Sequence, residues 1–271
     1  MTRQDKLLKY IDKAGLGLEI GPSYSPIAPK RDGFNVIIVD VKDQDQLREH
    51  YKQHHVNTDN IEKVDYIWRG ETYRELLGQS SQLHWIIASH VIEHSTDLIG
   101  FLNNCDEILR DDGVLAMAIP DKRVCFDYFR PITGLGKVID THLNSKSYHS
   151  PGTVMEFMLN ATRRGGQIAW DMSNKGAWDL ICTVDDAKTH LAQCLKEPSL
   201  VDAHAWCFTP TSFRLLINDL HTLGFIKMKE VAWLPTEGCE FFAVLGRAGN
   251  PLMESRLDLL QQIQRELEFR Q

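Results

Sequence analysis

The 271-residue sequence predicts an α/β fold: a doubly wound, mostly parallel sheet of seven strands, with a cap inserted between the fifth strand and the following helix. Three observations support this prediction. Short apolar runs alternate with amphipathic helical segments over residues 1–121, as in parallel sheets covered by helices on both faces. The alternation breaks over residues 122–205. It then returns as one helix followed by two apolar strands.

The spacing of apolar residues defines the elements of the first half. Helical spacing predicts a short amphipathic helix over residues 3–13. The first strand, residues 16–20, is closed by the turn Gly21–Pro22, and the second, residues 36–39, is β-branched throughout and ends on Asp40. The same criteria predict, in order, a helix at 45–53, strands at 64–68 and 83–89, a helix at 97–110 and a strand at 114–119.

The second half contains fewer regular elements. Weak helices are predicted near 151–163 and 185–196, and a stronger one starts at Thr209 and stops at Gly224. Strands at 226–234 and 241–245 are close enough to form an antiparallel hairpin. We therefore predict a core of residues 1–121 and 206–248, a substrate cap of residues 122–205, and a C-terminal helix within 249–271 that could pair with a second copy in a homodimer.

Composition excludes several classes of function. A formal net charge of −7 argues against a nucleic-acid partner, which would require a basic surface. No apolar run reaches the roughly 18–20 residues that span a bilayer, and the N-terminus lacks the apolar segment of a signal peptide. The six cysteines form no CxxC pair, so we expect reduced, mostly structural thiols. We expect a cytoplasmic protein without a membrane span.

The residues that follow the strands are the candidate site, because parallel sheets bind ligands beyond the carboxyl ends of their strands. Gly21 lets the backbone approach a ligand closely, since no Cβ intervenes. Asp40 can accept hydrogen bonds from both hydroxyls of a ribose. Glu19, beside the glycine turn, could hold a cationic group. These features fit a nucleoside ligand that has no pyrophosphate.

Four stretches resemble the class I S-adenosylmethionine-dependent methyltransferases, in the type 11-like branch that acts on small molecules. They are Leu18–Gly21, Asp40, Ala88–His94 and Ile108–Leu115. The sequence departs from the family pattern in two places: Gly21 is a single glycine followed by Pro22, and Asp112–Gly113 replaces a glycine pair. The resemblance implies S-adenosylmethionine as the cofactor. Its expected ligands are Glu19, Gly21, Asp40, Val41, Ser89 and His90.

The resemblance also implies in-line displacement of a methyl group from a sulfonium. A hydroxyl acceptor then needs a group that takes its proton, and we predict His94 and Asp121 for this role, with His90 and His149 as further candidates. Residues 120–131 mix cations, acids and aromatic rings, which suits a small-molecule or saccharide acceptor. An ordinary salt-bridged cap helix is an equally good interpretation of this segment.

Three alternatives remain open. Gly15, Gly17 and Gly21 superficially resemble a nicotinamide dinucleotide fingerprint and hence an oxidoreductase, but a strand lies between Gly17 and Gly21. His90, Glu93 and His94 spell the H-x-x-E-H zinc-peptidase motif, although that motif needs both histidines on one helix. We assign no metal ligands, while leaving open a divalent ion near Glu93 and His94. The third alternative is a cofactor-binding partner module without catalysis.

Overall fold

The computed structural model describes residues 1–78, 82–144 and 147–268. Nine strands and nine α-helices are found in these residues. The strands are β1 (Gly17–Ile20), β2 (Val36–Asp40), β3 (Tyr66–Ile67), β4 (Leu83–Ser89), β5 (Leu109–Pro120), β6 (Thr162–Arg164), β7 (Trp178–Leu180), β8 (Lys229–Glu237) and β9 (Glu240–Gly246). The helices are α1 (Arg3–Leu8), α2 (Gln44–Tyr51), α3 (Tyr73–Leu77), α4 (Leu98–Ile108), α5 (Leu135–Asn144), α6 (Pro151–Asn160), α7 (Val184–Lys196), α8 (Pro210–Thr222) and α9 (Arg256–Glu268).

Seven strands form one sheet in the order β3-β2-β1-β4-β5-β9-β8, which confirms the predicted fold class. The first five strands in this order are parallel, and β9 runs antiparallel to both of its neighbours. The strand order reverses between β1 and β4, and a crevice opens at such a reversal beyond the carboxyl ends of the two strands. Gly21 follows β1 at this point, and His90 follows β4.

Alternating side chains divide the core into two layers. On one face, residues such as Leu18, Ile86 and Met117 pack against α4, α5 and α8. On the other face, residues such as Ile38 and Trp85 pack against α1 and the loop that follows β1. The sheet is therefore covered on both sides, although a loop covers part of the second face.

Gly17 is explained by packing and not by phosphate binding. A Cβ on Gly17 would lie 2.0 Å from the indole ring of Trp85, which crosses the strand at this point. The indole Nε1 donates to the carbonyl oxygens of Asp12 and Gly15, at 2.8 and 3.2 Å. Gly17, one of the glycines that superficially resemble a dinucleotide fingerprint, thus makes room for a buried tryptophan.

Several boundaries differ from the prediction: α1 ends at Leu8 and not at residue 13, and β8 covers Lys229–Glu237 and not residues 226–234. β5 begins at Leu109, directly after α4, because Leu109 already pairs with Leu83 across a register shift. β3 contains only Tyr66 and Ile67, shorter than the predicted residues 64–68. The predicted start of α8 is confirmed: Thr209 forms a capping box with Ser212, and Pro210 occupies the first turn.

The segment predicted as a cap contains α5, α6, β6, β7 and α7. Helix α5 contacts α4 and α8, and its Val138 lies in the main core. By its packing α5 belongs with the core, although its sequence falls in the cap range. Helices α6 and α7 share a small core of their own, centred on Val154 and Cys194. The role of this unit as a substrate cap stays a prediction.

The C-terminal helix α9 packs on its own chain. Leu259 and Ile263 are buried against Leu215 of α8. The apolar face that was expected to pair with a second copy is thus used within the chain, and the homodimer stays a prediction. None of the helices that the structure describes is long and apolar enough to cross a membrane.

Glu19 fastens the loop after β1 to the sheet. Because Leu18 and Ile20 face one layer, Glu19 faces the other, where its Oε1 accepts from the backbone N–H of Ile27 at 2.6 Å and its Oε2 from that of Ala28 at 3.0 Å. The side chain is buried, and this burial raises its pKa to about 7, against the lowering effect of the two N–H groups. The carboxylate shapes the loop that carries Gly21.

Replacing Glu19 by Gln should remove a pH-dependent loss of stability. The pKa of this carboxyl is above its ordinary value of 4.5 in the folded chain. The folded state therefore holds a proton that the unfolded chain loses, and stability falls as pH rises from about 4.5 to about 7. The difference in unfolding free energy between wild type and Glu19→Gln should change by up to about 3 kcal/mol between pH 5 and pH 8.

Urea unfolding at the two pH values measures this change. Glu49→Gln is the control, because Glu49 lies on the exposed side of α2. If the difference in unfolding free energy between wild type and Glu19→Gln is the same at both pH values, Glu19 is ionised throughout. That result would contradict the prediction.

Candidate functional site

Backbone strain is concentrated at the ends of β1 and β4. Gly21 has a φ of +60°, and its N–H donates to the carbonyl oxygen of Val39 at 2.8 Å. Ser23 and His90 adopt φ values of +51° and +55°, which side chains with a Cβ rarely adopt. Strained residues of this kind cluster at ligand sites, and these two lie on either side of the crevice.

Asp40 bridges the ends of β1 and β2. Its Oδ2 accepts from the backbone N–H of Ser23 at 3.2 Å, and its Oδ1 accepts from that of Val41 at 2.7 Å. The side chain is 6 % exposed, and burial raises its pKa more than these N–H groups lower it. Asp40 therefore lies beside the loop of Gly21, and its role as the ribose ligand stays a prediction.

His90 lies between two acids at the end of β4, next to Ser89. Its Nε2 is 2.7 Å from Oε2 of Glu240 and its Nδ1 is 3.3 Å from Oε1 of Glu93. Burial lowers the pKa of His90, but its contacts with Glu240 and Glu93 outweigh burial and raise the pKa to about 9. The imidazolium joins the end of β4 to the start of β9.

Glu93 is a buried carboxylate beside His90. It lies in a short 3₁₀ helix, Ile92–His94, and its side chain is fully buried. Neither of its carboxylate oxygens has a partner with hydrogen-bond geometry among the residues that the structure describes. Burial raises the pKa of Glu93, but His90 and the other nearby histidines lower it by more than burial raises it. The pKa is therefore below its ordinary value, and the carboxyl stays ionised.

Two histidines flank Glu93, and each has an aspartate at its Nδ1. His94 Nδ1 lies 2.9 Å from Oδ2 of Asp202, and His204 Nδ1 lies 2.6 Å from Oδ2 of Asp127. The two imidazole rings meet edge to face with their centres 4.6 Å apart. Ligand atoms of Glu93, His94 and His204 lie within 4.8 Å of one another.

The prediction that Asp121 acts as a base needs correction. Its carboxylate is fully buried and accepts from the guanidinium of Arg123, with Nε 2.9 Å from Oδ1 and Nη2 2.5 Å from Oδ2. The hydroxyl of Thr236 donates to Oδ2 at 2.5 Å as well. A carboxylate held in this way is shielded from an acceptor, so we reassign Asp121 to holding the turn after β5.

Asp127 and Arg130, which lie in the segment 120–131 that suits an acceptor, are also paired within the chain. Both are buried, and Arg130 Nη1 donates to Oδ1 of Asp127 at 2.7 Å. Asp127 orients His204 through its other oxygen, as described above. Tyr128 and Phe129 of the same segment form an aromatic group with the buried Trp170 and the exposed Trp178, in which the Tyr128 and Trp178 rings lie 4.5 Å apart.

Most of the predicted cofactor ligands lie together at the ends of three strands, and His94 and His149 form a separate pair. Gly21, Asp40, Val41, Ser89 and His90 gather at the ends of β1, β2 and β4, while Glu19 lies behind the loop and reaches the crevice only through it. His149, with its Nε2 3.5 Å from Oδ1 of Asp202, is a buried neighbour of His94. Sequence reasoning missed the pairing of His204 with Asp127, for which the chain carries no local signal.

Comparison with known proteins identifies no family for this chain. No protein-family model and no curated protein matches the chain. Among solved structures, the PH0226 protein of Pyrococcus horikoshii OT3 is 15% identical with a TM-score of 0.43, and it is matched over 90% of this chain and 86% of that chain. The CcbJ methyltransferase of Streptomyces caelestis is 13% identical with a TM-score of 0.43, over 90% and 94%. These similarities are too low to support an argument.

The fold assignment therefore depends on the sheet itself. Its seven strands are mostly parallel and end in the antiparallel pair β8–β9, as the sequence predicts. The chain has a Rossmann-like α/β fold built on a seven-stranded, mostly parallel sheet.

Proposed function

We propose that this protein is an S-adenosylmethionine-dependent methyltransferase that methylates a hydroxyl of a small molecule or saccharide. The observation that carries the proposal is the position of Asp40. Its buried carboxylate lies at the end of β2, bonded to the N–H of Ser23, in the loop that begins with the left-handed Gly21. A ribose with two free hydroxyls fits an acceptor in this position.

The residues of the crevice fit this cofactor. The hydroxyl of Ser23 is buried and has no hydrogen-bond partner among the described residues, so it can serve a ligand. Val41 is 61 % exposed and offers apolar surface beside Asp40. Residues 21–35 contain a 3₁₀ turn and no α-helix, so no helix N-terminus meets a pyrophosphate there, which argues against the dinucleotide alternative.

Bound S-adenosylmethionine would supply an electrophilic methyl group on a sulfonium. The chain would hold its ribose with Asp40 and its amino-acid end with the loop of Gly21 and Ser23, next to Ser89 and His90. The acceptor would enter from the side of His94, where Glu93 and His204 also lie. This group of three side chains is suited to handling the proton that the acceptor hydroxyl loses.

The aromatic group of the cap supports a ring-bearing acceptor. Phe129 and Trp178 are 52 % and 36 % exposed, and such rings stack on the faces of sugars and aromatic compounds. Tyr128 of this group is two residues from Phe126, whose ring lies 4.5 Å from that of His204. Incubation with methyl-labelled cofactor and a panel of nucleotide sugars and glycan fragments tests this acceptor class. Labelling only of protein or nucleic acid would rule it out.

Replacing Asp40 by Ala should weaken binding of S-adenosylmethionine by about 1.5–3 kcal/mol, since two charge-assisted hydrogen bonds are lost. Asp40→Asn keeps the shape of the side chain and one acceptor oxygen, so this variant should lose less binding free energy. Calorimetric titration measures both, with Asp45→Ala on the exposed side of α2 as the control. Wild-type affinity in Asp40→Ala would show that the ribose is bound elsewhere. Binding without transfer to any acceptor would favour the partner-module alternative.

Replacing His94 by Ala should slow methyl transfer to a hydroxyl by about 10²–10⁴-fold, because proton handling at the acceptor is lost. Cofactor affinity should stay close to wild type, since His94 lies on the acceptor side. Single-turnover rates with saturating cofactor separate the two effects. A rate within a few fold of wild type would remove His94 from the reaction.

A further inference from the structure

We propose that Glu93, His94 and His204 bind a divalent transition-metal ion that coordinates the acceptor hydroxyl. The metal site stands on the geometry of these three side chains alone. Its role in methyl transfer rests on the function proposed above.

The ligand atoms are already close to binding geometry. The atoms that the three side chains offer lie within 4.8 Å of one another. An ion bound at about 2.0–2.2 Å in tetrahedral geometry would hold its ligands about 3.3 Å apart. Each separation therefore needs to shorten by no more than about 1.5 Å, which side-chain rotation can supply.

Each imidazole is oriented as metal-binding histidines are. Asp202 lies at Nδ1 of His94, and Asp127 at Nδ1 of His204. A carboxylate at Nδ1 favours a proton on that nitrogen, which leaves Nε2 of each ring as the nitrogen available to a metal ion. A histidine ligand held by a carboxylate on its other nitrogen is the common second-shell arrangement of metal sites. Both histidines beside Glu93 have this arrangement.

Glu93 supplies the independent observation. Its carboxylate is fully buried, and neither oxygen has a hydrogen-bond partner among the described residues. A carboxylate without such partners is costly to bury. His90 Nδ1, 3.3 Å from Oε1, compensates part of this charge, but His90 also serves Glu240. A bound cation would satisfy the oxygens that remain.

The ligand set selects the class of metal. Two imidazoles and one carboxylate suit Zn²⁺, Fe²⁺, Co²⁺ or Mn²⁺ better than Mg²⁺ or Ca²⁺, which prefer oxygen ligands. Three protein ligands leave at least one position open, as in catalytic zinc sites. The acceptor hydroxyl can occupy that position.

The reaction balances without a further reactant. Coordination lowers the pKa of the hydroxyl, and its proton leaves to solvent. The oxygen then attacks the methyl carbon of the sulfonium, forming the new C–O bond as the C–S bond breaks. The electron pair of that bond stays on sulfur, which leaves as the neutral thioether.

Titration of metal-free, full-length protein with Co²⁺ and Zn²⁺ tests the site. We expect one ion per chain, with visible absorption bands from bound Co²⁺. His94→Gln and Glu93→Gln should each weaken binding by more than about a hundredfold, because they remove a ligand, and Asp127→Asn by about 10–100-fold, because it releases His204. His54→Ala, on an exposed part of the chain, should bind as wild type does.

Failure of the metal site and failure of methyl transfer give different results. Since Glu93 and Asp127 are buried, the melting temperature of each variant is measured, and His94→Gln, at a partly exposed position, is the variant least dependent on folding. Absence of ion binding in wild type, or unchanged binding in His94→Gln, overturns the metal site even if methyl transfer is found. Ion binding that is lost in the variants supports the site even if no hydroxyl is methylated.

Discussion

The hydrogen bond between the backbone of Ala205 and that of Glu93 sets the geometry of the acceptor side. The N–H of Ala205 donates to the carbonyl oxygen of Glu93 at 2.7 Å, and the indole of Trp206 donates to the carbonyl oxygen of Ser95, also at 2.7 Å. These bonds fasten the end of the inserted segment across the 3₁₀ helix after β4. His204 reaches Glu93 only because of this connection, so the site depends on the fold of the whole insertion.

The buried acids near the sheet show why Glu93 differs from the others. Glu19 is neutralised in part by two backbone N–H groups and a raised pKa, while Asp121 and Asp127 are each paired with an arginine. Each of these three acids has a structural explanation within the chain. Glu93 has three histidines nearby, His90, His94 and His204, but neither of its oxygens has a hydrogen bond in the described part of the chain, and a bound cation would account for its burial.

The sequence predicted the parts of the site that depend on local structure. Gly21 and Asp40 follow apolar strands, and the end of a parallel strand is readable from the pattern of apolar residues. The role of Asp121 was wrong because its partner Arg123, two residues away, turns back onto it, which the pattern does not reveal. The pairing of His94 with Asp202 spans 108 residues and depends on how the insertion folds, so no local signal predicts it.

His90 lies between the loop of Gly21 and the side chains around Glu93. Its left-handed backbone lies at the end of β4, beside the loop of Gly21, while its ring contacts Glu93 on the acceptor side and Glu240 on β9. A flip of this backbone would shift the ring away from both acids and leave Glu93 without its nearby positive charge. The two ion pairs of His90 therefore compensate for its backbone strain. The same contacts fix the side chains around Glu93 relative to the loop of Gly21.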